Sequence, residues 1–242
     1  MAPLAELRLR VSTHDPEDMG AYSGSPEAWE SSVGQLKAIT ESKLGDDYEI
    51  GVGEAAFYGP KLDFMAKDAL GREHQVATIQ LDFNQPEGFD LTCVNESGEA
   101  ERIVMIHCAV MGSIERFLVV LIEHTAGRFP VWLAPEQVRV ATVNATDEMI
   151  SFGRQVIAQF KAAGLRATLD EANESVGKKI RAAELGKVPY TIVLGEKELA
   201  SGEVVPRIRK DLSISEPQPM QIKDFVQSVA NESHSRTTKS SL

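Results

Sequence analysis

One arginine lies in the most apolar stretch of the sequence. Arg116 belongs to residues 114–122, which read IERFLVVLI, and the spacing predicts a helix with apolar side chains on both sides. Such a helix is expected to be buried nearly all round, and a buried guanidinium needs a carboxylate partner or a bound anion. Two explanations therefore stay open for Arg116: a salt bridge to a neighbouring strand, or a phosphate ligand.

A single histidine, His107, ends the apolar segment that precedes this helix. A lone histidine at the end of a strand is more often a hydrogen-bonded core residue than a metal ligand, because zinc needs several converging ligands. Cys108 is its neighbour, but adjacent residues of a strand point to opposite faces. Cys93 is the other cysteine of the sequence, and with no CxxC pair we predict neither a disulfide framework nor a structural zinc site.

The charge of the chain is unevenly distributed. The formal net charge is −11, yet residues 1–129 hold 10 basic and 22 acidic side chains, whereas residues 130–242 hold 15 and 14. The basic side chains of interest in the second half are Lys178, Lys179, Arg181, Arg207 and Arg209. These basic residues form either a solvated basic face or a surface that contacts phosphates.

The first half has the pattern of an α+β domain with an antiparallel sheet. Residues 6–11 alternate between polar and apolar types, which predicts a strand. Ser25 and Pro26 are typical of a helix start, and the helix is expected to continue to about Lys43. Residues 49–106 then form short apolar segments between turn signals, which predicts an antiparallel meander.

The second half alternates strands and helices, as an α/β domain does. Predicted strands are residues 138–143, 165–169, 190–194 and 204–209, and predicted helices are residues 147–163, 175–185 and 221–231. Thr146 is placed to cap the first of these helices, and Gly186 to end the second. Residues 230–242 are mostly polar and without periodicity, so we expect a flexible tail.

The composition is that of a globular protein. Of 242 residues, 43% are hydrophobic and 25% are charged, and the longest apolar run is too short to span a bilayer. We therefore expect a cytoplasmic protein without a membrane partner. The expected division is residues 1–129, residues 130–229 and the tail of residues 230–242.

Four motifs in order resemble the threonyl-tRNA synthetase family of class II aminoacyl-tRNA synthetases. Residues 104–107 (VMIH) with 112–117 (GSIERF) are similar to motif three, and residues 53–64 and 78–83 are similar to two threonyl-specific signatures. Residues 177–181 (GKKIR) and 187–190 (KVPY) resemble the anticodon-binding domain that follows. The resemblance covers residues 6–229. It implies a partial class II catalytic domain, lacking motifs one and two, followed by an α/β anticodon-binding domain.

The resemblance also implies roles for single residues. Tyr58 and Lys61 would border the threonine and adenylate pocket, Thr78 and Gln80 would line the nucleotide side, and Ser113 and Arg116 would lie beside the ATP phosphates. A forked guanidinium can bind phosphate oxygens in pairs, so Arg116 is the predicted catalytic residue. The implied tRNA-binding residues are Lys178, Lys179, Arg181, Glu198, Arg207 and Arg209.

The chain also departs from the family pattern. His107 matches a family zinc ligand, but the other two ligands lie upstream of any residue here, so we expect no zinc on this chain by itself. Cys108, Ala77 and His74 replace residues that are usual in the family. The family dimer is built by motif one, so a homodimer is not expected of these residues.

The interpretation that follows is a threonine–tRNA ligase, present as a carboxyl-terminal part or remnant. The complete family enzyme uses ATP with Mg²⁺ to activate threonine and passes it to threonine tRNA, and we expect this chain alone to be inactive. The alternative is an inactive synthetase paralogue that acts as a tRNA- or protein-binding module. A conventional hydrolase is disfavoured, because the sequence has neither a Gly-x-Ser-x-Gly nor an HExxH motif.

Overall fold

The computed structural model describes residues 7–68 and 70–242, which form two compact units. The amino-terminal unit runs to His124, and the carboxyl-terminal unit is Thr125–Leu242. The strands of the first unit are β1 (Leu7–Thr13), β2 (Glu49–Val52), β3 (Lys61–Lys67), β4 (Glu73–Asp82), β5 (Thr92–Val94), β6 (Ala100–Arg102) and β7 (Met105–Ala109). Its helices are α1 (Pro26–Leu44), α2 (Asn84–Gly88) and α3 (Ile114–Thr125).

The amino-terminal sheet has the order β2-β1-β3-β4-β7. The pairs β1–β3, β3–β4 and β4–β7 are antiparallel, as predicted. The meander prediction was wrong for three strands. Strand β2 pairs in parallel with β1, and β5 and β6 form a separate two-stranded ribbon.

Helix α1 begins where the sequence predicts it. The Ser25 hydroxyl accepts a hydrogen bond from the backbone N–H of Ala28, and Pro26 occupies the first helical position. Trp29, Val33 and Leu36 are buried on one side of the helix. Leu36 packs with Leu9, Val11 and Leu62 of the sheet, so α1 covers one sheet face.

Helix α3 is not buried all round, and that prediction was wrong. Its buried residues are Val120 and Leu121, and Val120 packs with Ala66 and Val76 of the sheet. Arg116 is exposed. The exposed apolar side chains of α3, each 42–49% accessible, are Ile114, Leu118, Val119 and Ile122. The apolar pattern identified the helix correctly but could not show that only one side meets the sheet.

The carboxyl-terminal unit is an α/β domain, as predicted. Its strands are β8 (Val138–Thr142), β9 (Ala167–Asp170), β10 (Tyr190–Leu194), β11 (Glu203–Val204), β12 (Arg207–Ile208) and β13 (Met220–Gln221). Its helices are α4 (Asp147–Ala162), α5 (Val176–Leu185), α6 (Glu196–Ser201) and α7 (Ile222–Ser235). The main sheet has the order β12-β10-β8-β9, in which β10, β8 and β9 are parallel. Thr146 and Ser175 cap α4 and α5 through their side chains.

Two predictions for this unit were wrong. Residues 204–209 do not form one strand, because Val205 and Pro206 separate β11 from β12, and proline has no N–H for a ladder. The expected flexible tail is instead structured, since α7 continues to Ser235 and Ser240 is buried. The Ser240 hydroxyl meets the Tyr190 hydroxyl at 2.6 Å, a contact that polarity alone does not reveal.

One large core holds the carboxyl-terminal unit together. It joins buried residues of β8, β9 and β10 and the partly buried Ile208 of β12 to α4 and α7, and both Phe160 and Tyr190 are in edge-to-face contact with Phe225. Among residues 7–68 and 70–242, no helix has both the length and the apolar character needed to cross a membrane.

Candidate functional site

One face of the amino-terminal sheet is polar and carries the predicted pocket residues. Cross-strand pairing aligns Lys61 with Gln80 and Gln80 with His107. The next residues in register, such as Leu62 and Ile79, belong to the opposite face, which packs under α1. Alternation along the strands therefore gives an apolar face for the core and a polar face for a site.

Asp63 lies at the centre of this polar face and is 4% exposed. Its Oδ1 accepts hydrogen bonds from Gln75 Nε2 at 2.6 Å and Thr78 Oγ1 at 2.8 Å. Its Oδ2 accepts one from Ser12 Oγ at 2.7 Å and faces Lys61 Nζ at 3.1 Å. The buried carboxylate thus joins β1, β3 and β4, and it fixes the positions of Lys61 and Thr78.

The remaining pocket residues are joined to Asp63 through Thr78. Gln80 Nε2 lies 3.3 Å from Thr78 Oγ1, and the Tyr58 hydroxyl donates to Gln80 Oε1. Burial, together with the negative charges of Asp82 and Asp63, raises the pKa of the Tyr58 hydroxyl, so the phenol stays neutral. Four of the predicted residues, Tyr58, Lys61, Thr78 and Gln80, are therefore brought together.

His107 joins the same face beside Tyr58, with the two ring centroids 5.9 Å apart. Its Nε2 lies 2.7 Å from Oδ2 of Asp82, which is 1% exposed. Burial alone would raise the pKa of the Asp82 carboxyl. Hydrogen bonds from the backbone N–H of Gln85, from His107 and from the backbone N–H of Asn84 instead hold this pKa below its ordinary value. An ionised Asp82 orients the imidazole.

Zinc does not fit the residues around His107. In the part of the chain that the structure describes, no group of three His, Cys, Asp or Glu side chains converges to hold a metal ion. Cys108 pairs with Ile79 and thus lies on the opposite sheet face, whereas His107 pairs with Gln80. One imidazole and its carboxylate partner form only part of a zinc site.

The start of α3 lies close to the same sheet. Gly112 has φ +55°, and a Cβ at this position would lie 3.2 Å from the carbonyl oxygen of Val76, so glycine permits the close approach. Ser113 Oγ donates to Glu115 Oε2 at 2.6 Å, which holds the pKa of the Glu115 carboxyl below its ordinary value. Within residues 7–68 and 70–242, no hydrogen bond or ion pair engages the guanidinium of Arg116. Of the two explanations for Arg116, the salt bridge was wrong.

Two of the predicted tRNA-binding cations are engaged inside the carboxyl-terminal unit. Lys179 is 2% exposed, and its ammonium donates to the Thr142 carbonyl at 3.0 Å, the Thr142 hydroxyl at 3.2 Å and the Asp170 carbonyl at 3.0 Å. The guanidinium of Arg209 binds Asp211 and the carbonyl oxygens of Lys187 and Phe129. A phosphate contact was therefore the wrong prediction for Lys179, and four N–H groups of the Arg209 guanidinium already have protein acceptors.

The other predicted tRNA-binding residues are more accessible. Lys178, Arg181 and Arg207 are exposed, and Lys178 forms an ion pair with Glu174 at 2.7 Å. Glu198 is half-buried and accepts a hydrogen bond from the backbone N–H of Gly195 at the start of α6. Arg207 lies on β12, an edge strand of the sheet.

Comparison with known proteins assigns each unit to a class of domain. A model of the tRNA synthetase class II core domain (G, H, P, S and T) matches residues 9–125, and an anticodon-binding domain model matches residues 137–232. The chain is therefore a portion of a class II aminoacyl-tRNA synthetase core joined to an anticodon-binding domain.

Similar full-length proteins identify the family. The chain is 48% identical over 200 residues to a threonine–tRNA ligase of Pelodictyon phaeoclathratiforme, covering 83% of the chain and 30% of that protein. It is 44% identical over 236 residues to the Clostridium tetani threonine–tRNA ligase, covering 98% of the chain and 35% of that protein. The chain belongs to the threonyl-tRNA synthetase family, and it spans about a third of the length of these curated relatives.

A solved structure gives the same result. The RNA-binding domain of threonyl-tRNA synthetase from Cryptosporidium parvum aligns with a TM-score of 0.82 and 32% sequence identity. The alignment covers 98% of this chain and 56% of that chain. The predicted fold, a class II catalytic portion followed by an α/β anticodon-binding domain, is confirmed.

Sequence reasoning assigned no role to two buried carboxylates of the site. Asp63 and Asp82 are in the two signature segments, but neither was singled out. A signal was available, because an aspartate at an inward position of a strand must find donors when it is buried. What the sequence could not give is the register that brings those donors to it.

Proposed function

We propose that this chain is the carboxyl-terminal part, or a remnant, of a threonine–tRNA ligase. The observation that carries the proposal is the polar sheet face, on which hydrogen bonds and an ion pair to Asp63 bring Tyr58, Lys61, Thr78 and Gln80 together. Neutral hydroxyl and amide groups beside a cation suit an aminoacyl-adenylate, which has a ribose, a base and a phosphate.

Arg116 is the proposed phosphate ligand. Its guanidinium is free of protein partners among the described residues, and Gly112 brings the start of α3 close to β4. In the proposed site it would bind the phosphates of ATP with Mg²⁺, next to Ser113. We propose no zinc step, because His107 and Asp82 do not complete a zinc site.

The chain alone is proposed to be inactive in threonine activation. Positioning of the reacting groups can contribute about 7–11 kcal/mol to catalysis, and family motifs one and two are absent from these residues. Threonine-dependent ATP–pyrophosphate exchange should therefore be undetectable with the chain alone. Exchange should appear when the missing core portion of a threonyl-tRNA synthetase is supplied, and Arg116→Ala should abolish it.

The controls for this assay separate a specific loss from a general one. Arg128→Ala removes an exposed arginine outside the proposed site and should leave exchange unchanged. Exchange by the chain alone, lost on Arg116→Ala, would contradict the inactive-remnant proposal. Exchange that persists in the Arg116→Ala protein would contradict the phosphate role.

The carboxyl-terminal unit is proposed to bind the anticodon stem-loop of threonine tRNA. Exposed cations such as Arg181 and Arg207 would contact phosphates, so binding should weaken as salt rises. Arg207→Ala should weaken binding and lower the salt slope by about one. The full chain is the appropriate protein, because Ser240 packs into this unit.

Titrations with tRNAs of unrelated anticodons provide the specificity control. Equal affinity for these tRNAs and for threonine tRNA would contradict anticodon recognition. Lys179→Met is expected to alter stability, not the salt slope, because its ammonium faces carbonyl oxygens inside the unit.

The second candidate function is that of an inactive synthetase paralogue, which would bind tRNA or protein without catalysis. The exposed apolar side of α3, with Ile114, Leu118 and Ile122, is the observation that favours a protein contact. The exchange assay distinguishes the two, since a paralogue of this kind would give no exchange after the missing core portion is added. A cytoplasmic location is proposed by family resemblance.

A further inference from the structure

One buried carboxylate of the carboxyl-terminal unit, that of Glu232, belongs neither to the proposed pocket nor to the predicted tRNA-binding residues. Glu232 is 2% exposed and lies in the last turn of α7. Its Oε2 accepts a hydrogen bond from the Tyr190 hydroxyl at 2.6 Å. Its Oε1 accepts two hydrogen bonds from Ser241, one from the backbone N–H at 2.6 Å and one from the hydroxyl at 2.7 Å. The carboxylate thus connects strand β10 to the residues that follow α7.

The residues that follow α7, numbers 236–242, form a strap across the residues that follow β12. The backbone N–H of Ser240 donates to the Leu212 carbonyl at 3.0 Å, and the Ser215 hydroxyl donates to the Leu242 carbonyl at 3.0 Å. Leu212 is 2% exposed, and Leu242 packs against the same core. The strap therefore holds the segment after β12 against the unit, and Glu232 holds the strap.

Strand β12 depends on such support because it forms few contacts of its own. It consists of two residues, which pair with Tyr190 and Thr191 of β10 at the edge of the sheet. Ile208 is only partly buried against the core, and Arg207 is exposed. Two pairs of residues provide too little backbone hydrogen bonding to fix an edge strand. The position of β12 is therefore set largely by the segment that follows it.

We propose that Glu232 is a positioning residue for tRNA binding, because it anchors the strap that holds β12 and thereby sets the position of Arg207. The Glu232 side chain is buried beside Tyr190, so it does not itself meet the tRNA. The tRNA-binding part of this inference rests on the proposed function, in which Arg207 contacts phosphates. The anchoring of the strap does not depend on any ligand.

The anchor requires the acceptor oxygens of Glu232. Three hydrogen atoms, from the Tyr190 hydroxyl and from the N–H and O–H of Ser241, are directed to these two oxygens. A carboxylate accepts all three bonds, since it offers about four lone-pair sites. A methionine side chain fills similar space but is only a weak acceptor. Glu232→Met therefore removes the anchor without leaving the buried position empty.

The anchoring can be tested without a ligand, by hydrogen exchange and mass spectrometry on the full chain. In Glu232→Met, the backbone amides of residues 237–242 and of residues 209–215 should exchange about 10-fold faster, because the contacts that close the strap are lost. Peptides from β8 and α4 should be unchanged. Glu216→Met is the matched control, since Glu216 is exposed, and it should leave the exchange of both segments unchanged.

Binding of threonine tRNA tests the positioning role, because charge and positioning predict opposite results. Removal of a negative charge would by itself strengthen the binding of a polyanion. If Glu232 positions Arg207, Glu232→Met should instead weaken binding by about the same factor as Arg207→Ala and lower the salt slope by about one. Glu216→Met also removes a negative charge from this unit and should not weaken binding.

A double variant separates positioning from a general loss of stability. If Arg207 contacts phosphates only while the strap is anchored, Arg207→Ala should have little further effect in the Glu232→Met protein. A smaller folded fraction would instead leave the effect of Arg207→Ala the same in both proteins.

A milder variant replaces Glu232→Met if that protein does not fold. Ser240→Ala combined with Ser241→Ala removes the strap hydroxyls that meet Tyr190 and Glu232, and it changes no charge. Exchange of both segments should again be faster and tRNA binding weaker, each by a smaller factor than in Glu232→Met.

The outcomes separate this inference from the proposed function. Unchanged hydrogen exchange in the variants would overturn the anchoring of the strap by Glu232. Faster exchange with an unchanged affinity and salt slope, or an undiminished effect of Arg207→Ala in the Glu232→Met protein, would overturn the positioning role. If the unaltered chain does not bind threonine tRNA, the proposed function fails and the positioning role fails with it, while hydrogen exchange still decides whether Glu232 anchors the strap.

Discussion

The two units of this chain are stabilised in different ways. The carboxyl-terminal unit has one continuous core of 19 buried residues that includes β8, β9 and β10. The amino-terminal unit has two small cores of four and three buried residues, and its sheet uses one face for polar contacts. The unit that carries the proposed pocket therefore has less apolar burial with which to stabilise its fold.

The exposed apolar side chains follow the same division. Most large hydrophobic residues that are exposed lie before residue 125, among them Ile106, Val110, Leu118 and Ile122. Few lie in the carboxyl-terminal unit, where Val143 and Leu185 are examples. A sheet face that carries polar side chains can support chemistry, but it no longer contributes to the hydrophobic core. We therefore expect the amino-terminal unit to be less stable than the carboxyl-terminal unit.

The largest effect we expect is a separation of the two unfolding transitions. Trp29 lies in the amino-terminal unit and Trp132 in the carboxyl-terminal unit, and they are the two tryptophans of the sequence. The chain labelled with 5-fluorotryptophan thus gives one ¹⁹F signal from each unit during a urea titration. The Trp29 signal should change at lower urea, and coincident transitions would contradict the comparison.

A core substitution should destabilise one unit strongly. Phe160 is fully buried in the large core, and Phe160→Ala should lower the free energy of unfolding of the carboxyl-terminal unit by about 3–5 kcal/mol. The Trp132 transition should move to lower urea while the Trp29 transition stays in place. Phe89→Ala, at a 72% exposed position, is the matched control and should move neither.

A buried cation of the carboxyl-terminal unit should have a smaller effect. Lys179→Met leaves the carbonyl oxygens of Thr142 and Asp170 without a donor, which should cost about 1–3 kcal/mol in the Trp132 transition. Lys178→Met removes only an exposed ion pair and should be nearly neutral. Equal effects of the two substitutions would show that the ammonium of Lys179 is not a structural donor.

The contact between the last residues and the core should be smaller still. Ser240→Ala removes a hydroxyl that meets Tyr190 and should lower the stability of the carboxyl-terminal unit by about 1 kcal/mol. Ser235→Ala, at the exposed end of α7, serves as the control. No difference between these two variants in the Trp132 transition would indicate that the tail does not contribute to stability.

The smallest expected effect concerns how the stability of the amino-terminal unit falls at acid pH. The pKa of Asp82 is lowered in the folded protein, so its contribution is present above the ordinary value of 3.8 and is lost as the pH falls through the lower folded value. Asp82→Asn should destabilise the amino-terminal unit at pH 7 and flatten its loss of stability in acid. Asp90→Asn is the control, because the Asp90 side chain is 87% exposed. In this variant the free energy of unfolding should depend on pH as it does in the unaltered protein.

Local signals in the sequence predicted much of the fold. The starts of α1 and α4 were predicted correctly, and that of α5 to within one residue, because the side chains of Ser25, Thr146 and Ser175 accept hydrogen bonds from backbone N–H groups three residues later. Strand β10 was predicted with its correct bounds. These features depend on neighbours within one turn or one strand, so the sequence contains them directly.

Features that depend on distant residues were predicted less well. The burial of α3 depends on what lies against each side of it, and the position of Ser240 depends on Tyr190, fifty residues earlier. Lys179 resembled a phosphate-binding cation until its three oxygen acceptors were located at the carboxyl ends of β8 and β9. The residue types were informative, but the direction of each side chain required the tertiary structure.

The burial of Lys179 beside an exposed neighbour has a practical use. Lys178 and Lys179 are adjacent in the sequence, yet the first has a 70% exposed side chain and the second is 2% exposed. An amine-reactive acylating reagent should therefore modify Lys178 rapidly and Lys179 only after α5 separates from the sheet. The ratio of the two products in one peptide would report, by mass spectrometry, what fraction of a preparation is correctly folded.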